Sequence, residues 1–410
     1  MNFALNKLLA RLQGDKVIWM VTIFLSIISL LAVYSAISTL AYKADGNSFK
    51  FLIKHFMMIA IGLVAAYFVH KIKIKYISKV SVIMLWVAAG LLLLTLLFGV
   101  NINDASRWLK IPGLNLTFQT SDFAKIALIV YVARTLTLKR EVLGDFMQGV
   151  VPILVPVVVI CVLILPANFS TAAMLGMVSF LLMYIGGVPL KHLAKIVLLG
   201  IAGIVLIFFL GKASPDIFPR FGTWVSRIEN FSNPDSDGNY QIQYAQMAIY
   251  NGGIFPHGPG TGSSRNYLPH PYSDMIYAFI IEEYGSILGG CGVVLLFMIL
   301  LFRSMRASLR CPRYFGGLMG LGLAFLLSIQ AIINMAVSVN LFPTTGQALP
   351  LVSMGGTSTI FTCISIGLIL AVSRTVFNPE EALDDIQPEK PISANRSNVE
   401  PSNPIAHAGA

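Results

Sequence analysis

The sequence predicts an all-α polytopic membrane protein with ten transmembrane helices and a large extracytoplasmic loop between helices 7 and 8. Of its 410 residues, 56% are hydrophobic. Only 12% are charged, about half the fraction usual in a soluble domain. Apolar runs that approach or exceed the roughly 20 residues needed to cross a bilayer recur along the chain. The charged residues lie mainly in the loops between these runs, as expected for a multi-pass protein.

Each predicted span is an apolar run bounded by polar residues. The first run is too long for the core of a signal peptide and lacks a cleavage site, so we expect it to be a span. It follows a cytoplasmic N-terminus at 1–16; the membrane domain covers 17–375, and 376–410 forms a polar, disordered cytoplasmic tail. The ten runs cover 17–38, 52–70, 80–100, 121–138, 149–165, 171–188, 194–211, 275–302, 315–338 and 352–374.

The distribution of basic residues predicts the orientation. With the N-terminus in the cytoplasm, most Lys and Arg fall in inner loops, whereas the outer loops at 166–170 and 339–351 have none. Both termini are therefore expected inside, in the plasma (inner) membrane. The net charge of +10 forms no single patch, so it indicates topology and no nucleic-acid partner. The four cysteines show no metal spacing, and we expect no disulfide.

The outer loop at 212–273 is too long for a connector, which suggests a functional role. Within it, Tyr240–Tyr250 is predicted to form a short amphipathic helix lying on the membrane. Asp274 stands where this loop meets the eighth apolar run. Carboxylates at a membrane boundary are costly and are functional candidates. Asp274 either caps the helix together with Ser273 or acts as a general base toward a sugar hydroxyl.

Two further carboxylates, Glu282 and Glu283, follow inside the same run. On a helix they project about 80° and about 180° away from Asp274, so both cannot face its side. We therefore favour structural pairing inside the bundle for both, with assistance by Glu282 as a second interpretation.

A polar stretch at 107–125 leads into the fourth run. Asp122 and Lys125 are spaced i,i+3, which places them on one helix face where they can pair. One interpretation is an ion pair that lets two polar groups sit in the bundle. The other is that Lys125 and Arg107 contact an anionic head group while Asp122 orients Lys125, since an arginine fork suits phosphate oxygens.

The uncharged stretch 343–358 contains two prolines and three glycines and leads into the tenth run. Irregular backbone at membrane depth is tolerated only where protein or a cavity covers it. This stretch is either a re-entrant turn with a packing role or a wall of the site that offers backbone and hydroxyl donors. No ligand cluster requires a metal, although one outer acid plus the phosphate oxygens of a bound head group could hold a divalent cation.

Several motifs occur in a fixed order along the chain: RW at 107–108 with QTSDFAK at 119–125, a large-loop pattern from Arg227 to Gln241, glycine turns at 252–260, HPYSDMIYA followed by EEYG at 270–285, and PTTGQALPLVSMGGTS at 343–358. Together they resemble the motifs of the SEDS family (shape, elongation, division and sporulation) of bacterial membrane glycosyltransferases. The resemblance covers nearly all of 17–375.

This resemblance implies polymerisation of the lipid-linked disaccharide-peptide lipid II into peptidoglycan strands, with release of undecaprenyl pyrophosphate. It also implies a class B penicillin-binding protein, which cross-links the strands, and other division proteins as partners. The polar tail favours the cell-division member of the family over the elongation member. Asp274 is implied to be the catalytic base, with Lys125, Arg107 and Arg227 at the pyrophosphate. The supporting residues would be Gln119, Asp122, Glu282, Glu283, Ser353 and Ser358.

Three positions depart from the family pattern: Thr120 replaces a proline, Asp122 replaces a glutamate, and Asn168 stands where the family has an acid. Two other functions remain open from the residues alone. One is a flippase or transporter for a lipid-linked sugar, which would use the same bundle and cavity. The other is a non-catalytic scaffold of the division complex.

Overall fold

The computed structural model describes residues 13–37, 48–102, 105–110, 117–213, 221–233, 239–264, 267 and 272–377. The predicted disordered tail beyond residue 377 and most of the predicted N-terminal segment lie outside these residues.

Helices dominate the described part of the chain, and one stands at each of the ten predicted positions. Two further helices lie in the large loop, and a π-helical segment splits the eighth predicted span. The α-helices are α1 (Lys16–Ala36), α2 (Ser48–Val69), α3 (Ile74–Phe98), α4 (Thr120–Leu138), α5 (Val151–Ile164), α6 (Phe169–Ile185), α7 (Leu190–Ala213), α8 (Phe221–Ser232), α9 (Tyr240–Gly252), α10 (Ile276–Tyr284), α11 (Gly292–Leu309), α12 (Tyr314–Ser338) and α13 (Thr357–Phe377).

The polytopic helical fold is confirmed, while the number of spans stays a prediction. Within the described ranges, eight helical segments are long and apolar enough to cross a membrane. The α6 helix is apolar but has only 17 residues. The α4 helix carries Asp122, Lys125 and Arg134. These charges make α4 the least apolar of the predicted spans and point to a role other than lipid contact.

A small antiparallel sheet between α3 and α4 was not predicted from the sequence. It consists of β1 (Val100–Ile102), β2 (Ala105–Lys110) and β3 (Thr117–Gln119), in that order. Trp108 pairs with Gln119 across β2 and β3. Strands of three to six residues offer too little alternation to be recognised. Because β3 leads directly into α4, the sheet fixes where that helix begins.

The centre of the bundle is α12, which packs against α4, α6, α10, α11 and α13. In its span, 78% of the residues are buried, against 6% in α7. Of the candidate membrane spans in the described part of the chain, α12 is therefore the one most enclosed by protein, whereas α7 is almost entirely exposed at the periphery.

The eighth predicted span is a helical segment at Ile276–Leu309, 34 residues long, and it is interrupted at Gly285. A π-helical segment, Gly285–Cys291, joins α10 to α11. Gly285 has a φ of +73°, and a Cβ there would lie 2.7 Å from the carbonyl oxygen of Ile254. The backbone can adopt this conformation and pass this close to the large loop because glycine occupies that position.

In the large loop, the prediction of a helix at Tyr240–Tyr250 is confirmed by α9. The prediction that its apolar face lies on the membrane surface is wrong. Ile242, Ala245 and Ala248 are buried against Met275, Ala278 and Val337. Protein therefore covers this face, because α9 docks on α10 and α12.

The last helix begins at Thr357, five residues later than predicted. Leu351 and Gly356 have positive φ values of 66° and 59°, which are incompatible with a right-handed helix. The stretch before α13 therefore stays irregular and is available to form part of a site.

Candidate active site

Asp274 lies in the turn at 272–275, immediately before α10. The N-cap position of α10 is Met275, whose side chain makes no capping hydrogen bond. The interpretation of Ser273 and Asp274 as a helix cap is therefore wrong, because the helix begins one residue too late for it. Instead, the Ser273 hydroxyl donates to Asp274 Oδ1 over 2.9 Å.

A cavity of about 430 Å³ lies beside Asp274. It brings together five residues that the sequence singled out: Asp274, Asp122, Lys125, Gln119 and Ser358. The turn before α10, the start of α4 and the loop before α13 each form part of the wall. The other lining residues are Trp108, Asn168, Gln241, Tyr272, Ser273, Met275, Gln330, Gly346, Gln347, Ala348, Met354 and Gly355.

The predicted pair of Asp122 and Lys125 is present, with 2.8 Å between Asp122 Oδ1 and Lys125 Nζ. Both side chains are buried. Lys125 Nζ also donates to Gln330 Oε1 over 3.2 Å. Asp122 Oδ2 is buried and has no hydrogen-bond partner among the described residues. The two interpretations of this pair are therefore compatible, since it is a buried ion pair that also lines the cavity.

The loop before α13 contacts the Asp274 turn directly. The Ser353 hydroxyl donates to the carbonyl oxygen of Ser273 over 2.8 Å and accepts from the Leu349 backbone N–H over 2.8 Å. Ser353 therefore lies behind the cavity wall and supports the turn, whereas Ser358 lines the cavity itself. The prediction that this loop forms a wall is consistent with this geometry.

Glu282 and Glu283 do not line the cavity. Glu282 Oε1 accepts from the backbone N–H of Ser263 and of Ser264 over 2.9 and 3.1 Å. Glu283 Oε1 accepts from the Gly260 N–H over 2.8 Å and from the Ser35 hydroxyl. Both glutamates are thus paired inside the bundle, as favoured from the sequence, with the Gly260–Ser264 segment of the large loop as a shared partner.

Arg227 is not brought to the cavity beside Asp274. Its Nη1 donates to the carbonyl oxygen of Thr344 over 3.1 Å, and it lines a second, mainly apolar cavity of about 260 Å³ between α6, α7 and α8. Asn168 lines both cavities. The backbone of Arg107 lies in β2, but its side chain falls outside the described residues.

At Asn168, where the family has an acid, the side chain caps α6. Its Oδ1 accepts from the Thr171 N–H over 3.3 Å, so a neutral amide satisfies the helix terminus. Gln347 then donates to the Thr171 hydroxyl over 2.7 Å. These contacts tie the start of α6 to the loop before α13.

Sequence reasoning missed several neutral polar residues of the cavity, among them Gln241, Tyr272, Gln330 and Gln347. Burial raises the pKa of Tyr272, so its phenol stays protonated at neutral pH and can donate. The sequence did carry a signal for Gln330, because a polar residue inside an apolar run is unusual. In the described ranges, no group of three or more His, Cys, Asp or Glu side chains is placed to hold a metal ion.

Comparisons with known proteins agree on one family. The model of the cell cycle proteins FtsW, RodA and SpoVE matches residues 15–377. A probable peptidoglycan glycosyltransferase FtsW of Trichlorobacter lovleyi is 32% identical over 368 residues, which cover 88% of this chain and 93% of that protein. Stage V sporulation protein E of Bacillus subtilis is 30% identical over 370 residues, covering 88% and 97%.

Solved structures share the fold. A chain from a study of polymerization and crosslinking by a peptidoglycan synthase complex matches with a TM-score of 0.69 and 24% identity, covering 89% of this chain and 99% of that one. The rod shape determining protein RodA of Thermus thermophilus matches with a TM-score of 0.62 and 22% identity, covering 89% and 98%.

Proposed function

The chain belongs to the FtsW, RodA and SpoVE family of cell cycle proteins, and we propose that it is a peptidoglycan glycosyltransferase that polymerises lipid II with Asp274 as general base. Its relatives of 30–32% identity include proteins named as probable peptidoglycan glycosyltransferases. One observation carries the proposal: a single cavity holds the Asp274 carboxylate and the buried Asp122–Lys125 pair. A base and a cation in one cavity are what glycosyl transfer from a pyrophosphate needs.

In the proposed reaction, the Asp274 carboxylate accepts the proton of the acceptor's sugar hydroxyl. The hydroxyl oxygen attacks the anomeric carbon of the donor sugar and forms the new glycosidic bond. The bond from that carbon to the pyrophosphate oxygen breaks, and undecaprenyl pyrophosphate leaves with the electron pair. The proton on Asp274 then passes to water, which restores the base.

Lys125 is assigned to the leaving pyrophosphate. Its ammonium group is held between Asp122 and Gln330, so little reorganisation is needed when negative charge develops on the phosphate oxygens. Arg107 and Arg227 stay predictions for the same step. Arg227 lines the neighbouring cavity and would reach the substrate only from there.

The chain is a multi-pass membrane protein. We further propose cytoplasmic termini and a site on the outer face, which the basic inner loops support. A class B penicillin-binding protein and other division proteins are the proposed partners, and cell division the proposed role. A divalent cation also stays a prediction: one outer acid could hold it only with pyrophosphate oxygens of the substrate as further ligands. Polymerisation measured with and without a chelator tests it.

The purified protein in lipid vesicles, supplied with lipid II and its penicillin-binding protein partner, tests the proposed function. We expect glycan strands to form, and Asp274→Ala to abolish them while the protein still folds. Movement of lipid II across the vesicle without polymer would favour the flippase. In cells, growth supported by Asp274→Asn would favour the scaffold.

A further inference from the structure

The turn that carries Asp274 is held by its main chain at three consecutive residues. The carbonyl oxygen of Tyr272 accepts from the Met354 N–H over 2.9 Å. That of Ser273 accepts from the Ser353 hydroxyl over 2.8 Å, and that of Asp274 from Asn334 Nδ2 over 2.8 Å. Two of these donors come from the loop before α13, and the third comes from the central helix α12.

Asn334 uses both N–H groups of its amide. One is donated to Asp274, and the other to the carbonyl oxygen of Gln347 over 2.7 Å. Gln347 lies on the cavity wall formed by the loop before α13. Asn334 is 1% exposed, so water does not compete for these bonds. A single side chain therefore joins the Asp274 turn to the wall beside it.

Gln330 makes the equivalent connection one helical turn earlier. Its Nε2 donates to the carbonyl oxygen of Ala348 over 2.8 Å, and its Oε1 accepts from Lys125 Nζ over 3.2 Å. Residues four apart share a helix face, so one face of α12 contacts both the turn of Asp274 and the side chain of Lys125. A buried amide is costly unless it is hydrogen-bonded. Each of the two amides makes two bonds, although Asn334 Oδ1 is buried without a hydrogen-bond partner among the described residues.

We propose that Asn334 and Gln330 are positioning residues of the transferase, with Asn334 aligning Asp274 and Gln330 aligning Lys125. This inference rests on the proposed function. Asn334 acts on the base through the backbone and does not touch the substrate. Gln330 lines the cavity and acts on the cation directly. The central helix α12 thereby sets the spacing between the group that accepts the proton and the group that faces the pyrophosphate.

The two residues are expected to fail in different ways. Asn334→Asp keeps the size of the side chain but turns a carboxylate toward two carbonyl oxygens, so the Asp274 turn shifts. A displacement near 1 Å can lower a rate on the order of 100-fold, and we expect kcat to fall about 10- to 100-fold. The KM for lipid II and inhibition by inorganic pyrophosphate should stay near wild type, because Lys125 keeps both of its contacts.

Gln330→Met keeps the length of the side chain but removes the acceptor for Lys125. We expect the inhibition constant of inorganic pyrophosphate to rise several-fold, because Lys125 loses one of its two fixed contacts. Ser338→Ala is the matched control, four residues beyond Asn334 on the same face. Its buried hydroxyl donates to the Asn334 backbone carbonyl over 3.0 Å, and we expect neither constant to move.

The decisive experiment measures kcat, KM for lipid II and pyrophosphate inhibition for these variants and the wild type in one detergent. Wild-type kcat in Asn334→Asp, or wild-type pyrophosphate inhibition in Gln330→Met, overturns the assignment of that residue. If Asn334→Asp does not fold, the same kcat criterion is applied to Asn334→Gln, which keeps both N–H donors on a longer stem. Misfolding of both, with Ser338→Ala intact, would show a purely structural role and overturn the positioning role. Absence of polymer with the wild type would refute the proposed function, and this inference with it.

Discussion

At the scale of single residues, the site is marked by charged side chains in or beside apolar runs. Asp274, Asp122 and Lys125 stand out in the sequence because a charge in or beside an apolar run is costly and needs a reason. The structure places all three in one cavity wall. Asn334 and Gln330 were not singled out, because a neutral amide in a span carries no charge signal and its partners lie far away in sequence.

The Lys125 and Asp122 pair can be tested for structure and activity separately. Lys125→Met leaves the Asp122 carboxylate buried without its counter-ion, which should destabilise the protein by about 3–5 kcal/mol. Adding Asp122→Asn removes the stranded charge. We expect the double variant to recover the wild-type melting temperature in detergent while its polymerisation stays strongly impaired.

The double variant therefore distinguishes the two interpretations of the pair, a structural role and a role at the substrate. A double variant that is stable and polymerises at the wild-type rate would show that the pair serves folding alone. The conservative change Lys125→Arg, which keeps the charge, should retain more activity than Lys125→Met.

At the scale of helices and loops, the main feature is the close packing of the large loop against the helix bundle. The α9 helix docks on α10, and Glu282 and Glu283 hold the segment at 260–264 against the same helix. The sequence predicted α9 from its amphipathic pattern. The sequence could not predict the docking, because the pattern of an apolar face is the same whether lipid or protein covers it. The three-stranded sheet was not predicted, because its strands are too short to show a clear alternating pattern.

The close approach of α9 to α10 depends on Gly252. A Cβ there would lie 2.2 Å from the carbonyl oxygen of Ile281, so Gly252→Ala must push the two helices apart. We expect a loss of about 1–3 kcal/mol, as for other overpacked sites, and faster proteolysis of the large loop.

Gly222→Ala is the matched control in the neighbouring helix α8, where a Cβ would meet nothing within 4 Å. It should leave stability and cleavage rate unchanged. Equal cleavage rates for wild type and Gly252→Ala would show that α9 does not depend on this contact.

A contact network on the side of the bundle opposite Asp274 links three helices at the scale of the whole molecule. Asp15 caps α1 by accepting from the Val17 N–H over 2.8 Å. Its Oδ2 lies 2.7 Å from Arg303 Nη2 of α11, and its N–H donates to the Ser373 hydroxyl of α13 over 2.9 Å. Arg303 lies near the C-terminal end of the Ile276–Leu309 segment, whereas Asp274 precedes its N-terminal end, so this network fixes the end of the segment that is far from Asp274.

Asp15→Ala removes both the helix cap and the ion pair. Loss of a cap alone costs about 0.5–2 kcal/mol, so we expect a lower melting temperature in detergent. Because the site is built from contacts at the other end of the Ile276–Leu309 segment, kcat should fall far less than in Asn334→Asp. A melting temperature equal to wild type would contradict the proposed role of this network.

The architecture was predictable from the sequence to the extent that apolar runs dictate it. All ten predicted positions hold a helix, since burial in lipid requires each run to satisfy its own backbone hydrogen bonds. The irregular stretch before α13 was predicted, but its end was placed five residues too early, and its contacts to the Asp274 turn were not predicted. Such contacts depend on the packing of α10, α12 and α13 together, which no local pattern encodes.

The most direct test of the account is glycan polymerisation from lipid II by purified Asp274→Asn protein. This substitution keeps the size of the side chain, and the three backbone carbonyls that hold the turn are untouched. Only the basic carboxylate is lost. We predict correct folding and a polymerisation rate lowered on the order of 10²- to 10⁴-fold, the usual contribution of a general base. Polymerisation at the wild-type rate would contradict the assignment of Asp274 as the base.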